Sequence, residues 1–145
     1  MNKITLTIIT LLLASGLALS ACASSTTSTD LAGTSWSLIS YGPAGNQTPA
    51  TPDVATSLVF GTDGQVSGTL GCNTFSGSYE VKDGKIVFGP LASTLMACPD
   101  PQMTQEGTAF QVLTGTVTFE LAGNGLTIYD PSGALALTLS GVVTK

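Results

Sequence analysis

Histidine is absent from the chain, and only four of its 145 residues are basic. Without an imidazole there is no Ser-His-Asp or Cys-His arrangement, and the commonest zinc ligand is missing. With so few lysines no patch exists to neutralise phosphates, which argues against nucleic acid as a partner. No G-x-x-x-x-G-K-[ST] or G-x-G-x-x-G signature opens a helix, so phosphate and dinucleotide cofactors have no support. The three cysteines contain no C-x-x-C pair, which leaves no thioredoxin-like redox motif. Asp63, Asp83 and Asp130 fall in turns. A carboxylate pair remains possible, for instance Asp100 with Glu106, but Asp100 is better explained as a helix cap. The sequence thus points to no catalytic residue, no metal and no cofactor, and the chain reads as a non-enzyme.

What is present begins at the amino terminus. Lys3 supplies a positive start, Ile4 to Leu13 form an apolar run broken only by threonine, and Ala14 to Ala21 are mostly small. This is the layout of a secretory signal. Thr5, Thr7, Thr10, Ser15, Gly16 and Ser20 interrupt it too often for a membrane span, which needs about 20 predominantly apolar residues. The run closes on Leu19-Ser20-Ala21-Cys22, which resembles a bacterial lipobox, after which the cysteine carries lipid. Residues 1–21 are therefore expected to be a lipoprotein signal peptide, with Cys22 as the lipidation site. Removal of Lys3 leaves three lysines against nine acids, a formal charge of −6. With no electrostatic attraction to anionic headgroups, membrane attachment would rest on acyl chains, and stable anchoring needs more than one of them. Residues 22–30 form a Ser/Thr-rich tether with nothing to bury. Ala23 and Ser24 lack the aspartate that retains many lipoproteins at the inner membrane. The expected location is the cell envelope, lipid-anchored, most simply at the outer membrane facing the periplasm.

The remainder, residues 31–142, is long enough for one domain with one core. Cys72 and Cys98 form an even pair in an oxidising compartment and are expected to be bridged; two free buried thiols are the alternative. Short alternating runs are separated by turn chemistry. Trp36 and Leu38 alternate with serines, and residues 42–53 read as a surface loop. Leu58 and Phe60 pair with Val66 and Gly68 across Thr62-Asp63-Gly64, while Tyr79 and Val81 meet Ile86 and Phe88 across Lys82-Asp83-Gly84. Thr94 to Ala97 read as one more short strand. A helix is expected near residues 101–114, with Asp100 as N-cap, Pro101 at the first position, and Met103, Phe110 and Leu113 on its apolar face. Val117 to Leu121, Leu126 to Ile128 and Leu135 to Leu139 complete a meander. The fold class is α+β, mainly antiparallel β, as a partly open barrel or curled meander sheet with one helix over the open side.

Gly71-Cys72-Asn73-Thr74-Phe75-Ser76-Gly77, followed by Thr94-Leu95-Met96-Ala97-Cys98 and Glu106, resembles the META domain, also called HslJ-like. The resemblance extends forward to Trp36-Ser37-Leu38 and back to the strands ending at Leu139. It implies a small envelope domain, often in lipoproteins, linked to heat shock and to novobiocin resistance, with no established enzymatic activity. The motif residues Gly71, Cys72, Asn73, Phe75, Gly77, Thr94, Met96, Cys98 and Glu106 also have physical readings. The glycines indicate positive φ or close backbone approach. Asn73 suits an Asx-turn or a strand end, and Met96 suits core filling. Glu106 suits a cap, a lysine pair or acceptance of backbone N–H groups from the motif loop.

Two functional classes fit. One is a stress-related or envelope-maintenance module, expected to be monomeric, that binds an envelope protein through a strand edge or loop face. The other is a carrier or chaperone for an apolar ligand, with Trp36, Phe60, Phe75, Tyr79, Phe88, Phe110 and Phe119 lining a cavity.

Overall fold

The computed structural model describes residues 31–142. The expected signal peptide, Cys22 and the expected tether lie outside the described residues. Ten strands and one helix follow in order: β1 (Thr34–Pro43), β2 (Thr48–Pro49), β3 (Ser57–Phe60), β4 (Gln65–Thr69), β5 (Thr74–Lys82), β6 (Lys85–Phe88), β7 (Ala92–Ser93), α1 (Asp100–Val112), β8 (Gly115–Ala122), β9 (Gly125–Tyr129) and β10 (Leu135–Val142). Every pairing is antiparallel.

Alternation is what drives these segments into strands, because successive side chains point to opposite faces. In β1, Thr34, Trp36 and Leu38 point inward and Ser35 and Ser37 outward. The register then slips between Leu38 and Ser40, leaving Ile39 exposed and bringing Tyr41 back inside. The hairpin β5–β6 turns on Asp83 (φ 52°) and Gly84 (φ 72°), the left-handed pair that a two-residue hairpin needs.

The sheet is a closed barrel, not the partly open one expected. β10 pairs with β1 from Ser35↔Val142 to Pro43↔Leu135, so eight long strands form a complete ring. Closure leaves no long edge in the wall, which is how antiparallel sheets avoid edge-to-edge association. The short strands β2 and β7 are additions, on β1 and β5 respectively. β2 lies in what reads from sequence as a featureless loop; Gln47 holds that loop by donating to the Ala136 carbonyl at 2.9 Å.

The interior is filled by aromatic and aliphatic side chains. Trp36, Phe60, Phe75, Tyr79 and Phe88 are buried, and Phe60 meets the Tyr79 ring edge-on at 4.8 Å. The Trp36 indole N–H donates to Thr34 Oγ1 at 2.7 Å, so its polar end has a partner.

At one end, the turn between β9 and β10 is organised by Asp130. Its carboxylate accepts from the backbone N–H groups of Ser132 at 3.1 Å and Leu135 at 2.7 Å. The hydroxyl of Ser132, first among these causes, and the Leu135 N–H hold the carboxyl below the usual aspartate range. A depressed folded pKa contributes stability above the unfolded value, and that contribution is lost as pH falls through the folded one. Asp130→Asn should therefore lower the melting temperature at neutral pH, and the gap from the parent should close in strong acid. A gap unchanged down to pH 2 would refute the assignment.

The helix closes the same end of the barrel. It starts one residue earlier than expected, with Pro99 as N-cap, Asp100 as the first helical residue and no side-chain cap bond. Asp100 is thus in the first turn, where its charge favours the helix dipole, and is not the cap. The inward face also differs. Gln105, Glu106, Ala109 and Val112 are buried, whereas Met103 is exposed and Phe110 is half-buried.

Candidate functional site

The motif residues converge where the β4–β5 loop meets α1. Cys72 and Cys98 are joined by a disulfide with their Cα atoms 5.8 Å apart. Glu106, buried on α1, turns its carboxylate to the loop. Oε2 accepts from the backbone N–H groups of Cys72 (2.8 Å) and Asn73, and Oε1 accepts from Asn73 Nδ2 at 2.7 Å. Of the three roles open to Glu106 in the sequence, it takes the acceptance of backbone N–H groups.

Asn73 carries the network onward. Its Oδ1 accepts from Thr94 Oγ1 at 2.8 Å and from the Met96 N–H at 2.7 Å, while Nδ2 also approaches the Met96 carbonyl at 3.3 Å. One side chain thereby occupies both backbone groups of Met96. This explains why Thr94 to Ala97 is not the expected strand: its ladder partner has been replaced by an amide side chain. The paired residues are instead Ala92 and Ser93, opposite Ser76 and Phe75. Among the described residues, no buried side-chain nitrogen or oxygen lacks a partner.

The two motif glycines act through close approach and not through positive φ. A β-carbon on Gly71 would lie 2.5 Å from the Gln102 carbonyl oxygen and 2.7 Å from Glu106 Cβ. On Gly77 it would meet Leu91 Cδ2 at 2.6 Å and the Pro90 carbonyl at 2.8 Å. Gly71 lets the helix sit directly on the loop, and Gly77 lets the β6–β7 connection pack closely against β5. Phe75 is buried and packs edge-on against Phe110 at 5.6 Å.

Gln105 belongs to the same cluster and carries no sequence signal of the motif kind. It is fully buried, donates to the Leu70 carbonyl at 2.6 Å and accepts from the Thr51 N–H at 2.7 Å. Its place in the stripe Gln105, Ala109, Val112, spaced by four and then three, is the pattern that betrays it.

Met96 is not core filler. It is half-exposed, and neighbouring Leu95 is 98% exposed. With Met103 and Phe110 they line a shallow cavity above the Asn73–Glu106 pair. A second cavity of about 550 Å³ adjoins it, lined by Phe88, Pro90, Leu91, Phe110, Leu113 and Gly115 among others. These hollows lie at the rim of the barrel. Phe88 and Phe110 line the second, whereas Trp36, Phe60, Phe75 and Tyr79 pack in the core together with Phe88, with Phe119 packed against it. Among the described residues no cluster of three or more Cys, Asp or Glu is placed to hold a metal ion, and no helix is long and apolar enough to cross a membrane.

An eight-stranded antiparallel barrel, capped by one helix that a buried glutamate and a disulfide loop tie to its rim, defines the class. Residues 29–141 match the META domain family model, and the chain belongs to that family. It is similar to the heat shock protein HslJ of Escherichia coli (strain K12), 29% identical over 87 residues. That match covers 59% of this chain and 61% of HslJ, so the chain spans under two thirds of that relative. An NMR structure of a protein from Burkholderia xenovorans is similar at 27% identity and a TM-score of 0.65, covering 79% of this chain and 85% of that one. A crystal structure of a DUF4847 family protein from Bacteroides vulgatus shares the fold, with a TM-score of 0.59 at 12% identity over 79% of this chain and 96% of that one.

Proposed function

We propose that the chain is a lipid-anchored envelope protein whose META domain is a non-catalytic interaction module for envelope maintenance under stress. The observation that carries the module reading is Leu95, 98% exposed on a segment that the disulfide and Asn73 hold in place. An apolar side chain displayed on a clamped backbone is ready to bind, since its ordering cost has already been met. The absence of histidine and the single use made of Glu106, as a structural acceptor, support a role without catalysis. The relative named a heat shock protein supports the link to stress.

Anchoring rests on Leu19-Ser20-Ala21-Cys22 and on the Ser/Thr tether that follows. Cys22 acylation would hold a monomeric domain on the periplasmic side of the outer membrane. Labelled palmitate should enter the parent protein and not Cys22→Ala, which should move to the soluble periplasmic fraction. Equal membrane association of both proteins would refute the anchor. For the module, crosslinking in intact envelopes should capture one protein reproducibly, and Leu95→Asp should abolish that capture. Capture unaffected by the charge would remove the apolar rim from the function.

A further inference from the structure

We infer that the rim groove between β7 and the C-terminal end of α1 binds an extended peptide segment of a partner protein as an added strand. The segment would carry an apolar anchor with a lysine or arginine beside it. This deepens the interaction-module reading and rests on it.

The barrel wall has a notch at this point. β8 pairs with β6 only as far as Phe88↔Gly115; beyond it the wall continues on one side as β7, while on the other the chain leaves into Thr114 and the helix. The slot beside β7 is the backward continuation of β8, and no strand fills it. Thr94 N–H donates to the Thr74 carbonyl at 3.0 Å and Thr94 Oγ1 accepts from the Thr74 N–H at 3.2 Å, so these two residues bond across the ladder. In an antiparallel ladder the next pair, Phe75↔Ser93, then turns its main-chain groups away from its partner. The Ser93 N–H and C=O therefore face the empty slot. Backbone groups in strand geometry are what another strand recognises, and the pockets beside them select alternate side chains.

The cavity of about 550 Å³ supplies that pocket, with Ser93 on its lip and Phe88, Leu91, Phe110 and Leu113 in its lining. No lysine or carboxylate lines it, so the anchoring side chain must be uncharged; a charge there would be desolvated without a partner. Its far wall is the last turn of α1, where the dipole is negative and no basic residue is present. The protein as a whole carries nine acids against four basic residues. A cation flanking the anchor complements both features.

A bilayer is the less suited occupant. β1 begins beside Phe60 and the last residues of β10, at the end that carries the 61–64, 83–84 and 123–124 turns. Gly115 and the groove mark the opposite end. A lipid tether would join the domain at Leu31, at the end away from the groove, so it would not itself bring the groove to the membrane, and the acidic charge disfavours anionic lipid.

A phage-displayed library of random nonapeptides, panned on the purified mature chain, tests this. Enriched sequences should alternate apolar residues and include a lysine or arginine, and synthetic copies should shift the amide resonances of Leu91, Ser93 and Gly115. Ser93→Pro removes the outward N–H together with the hydroxyl that donates to the Thr94 carbonyl, and Ser93→Ala removes the hydroxyl alone; the proline variant should weaken binding at least tenfold relative to the alanine variant while melting temperature and disulfide stay intact. Thr114→Trp, filling the groove from its exposed side, should do the same, as should N-methylation of the peptide at the ladder position. No enrichment, or equal binding by the proline and tryptophan variants, overturns the proposal. Sedimentation with vesicles of phosphatidylethanolamine and phosphatidylglycerol that Thr114→Trp abolishes would assign the groove to lipid and overturn it as well. If an envelope partner is captured through Leu95 yet is indifferent to Ser93→Pro and Thr114→Trp, the groove is wrong and the module reading stands. If neither peptide nor partner is found, both fall.

Discussion

Glu106→Ala should cost roughly 3–5 kcal/mol of folding stability, a large part of the roughly 5–15 kcal/mol available to a domain of this size. The reason is the number of donors that one carboxylate serves. Removing it orphans the N–H groups of Cys72 and Asn73 and leaves Asn73 Nδ2 only its longer bond to the Met96 carbonyl, all in a part of the structure that is buried or nearly so. Each unsatisfied group costs about 1–3 kcal/mol. A calorimetric melt of the variant should fall by roughly 12–20 °C. Glu106→Gln separates charge from geometry. Its amide oxygen can still serve the two backbone donors, but its NH₂ then faces Asn73 Nδ2, and about 1–3 kcal/mol should be lost. A loss under about 1 kcal/mol for the alanine variant would mean that water takes over the carboxylate's role.

Replacing both Cys72 and Cys98 by serine should destabilise the domain by about 3.5 kcal/mol in the chain-entropy model. The bridge spans 26 residues and pins the same segment that Asn73 and Glu106 hold. The two losses should not add. Once the loop is released by one change, the other has less native structure to disrupt, so the double-mutant cycle should show a coupling of about 1 kcal/mol or more. Additivity within about 0.3 kcal/mol would mean that the bridge and the carboxylate act on separate units. Denaturant titration of the four proteins decides it.

The barrel was legible wherever one principle ruled. Period-two alternation and turn glycines placed Leu58, Phe60, Val66, Ile86 and Phe88 in their strands, because each has one buried face and one wet one. Closure was not legible, since nothing in β1 or β10 alone says that Trp36 will lie opposite Gly141. The helix face is legible only in part. Apolar spacing selects Leu113, which is buried, and Phe110, which packs against the core, but it also selects the exposed Met103 and passes over Gln105, which the helix buries beside Glu106 to satisfy backbone groups of neighbouring loops. Hydrogen-bond demand outranked hydrophobicity there. The same demand displaced the short strand from Thr94–Ala97 to Ala92–Ser93, once Asn73 had taken the backbone of Met96.

The ring is sealed by its first and last long strands, Ser35 lying across from Val142. A polypeptide emerging from the ribosome cannot complete this cylinder until its final segment is free, and loop-closure entropy further slows so distant a pairing. An incomplete chain therefore stays open, a state that would suit the export proposed above.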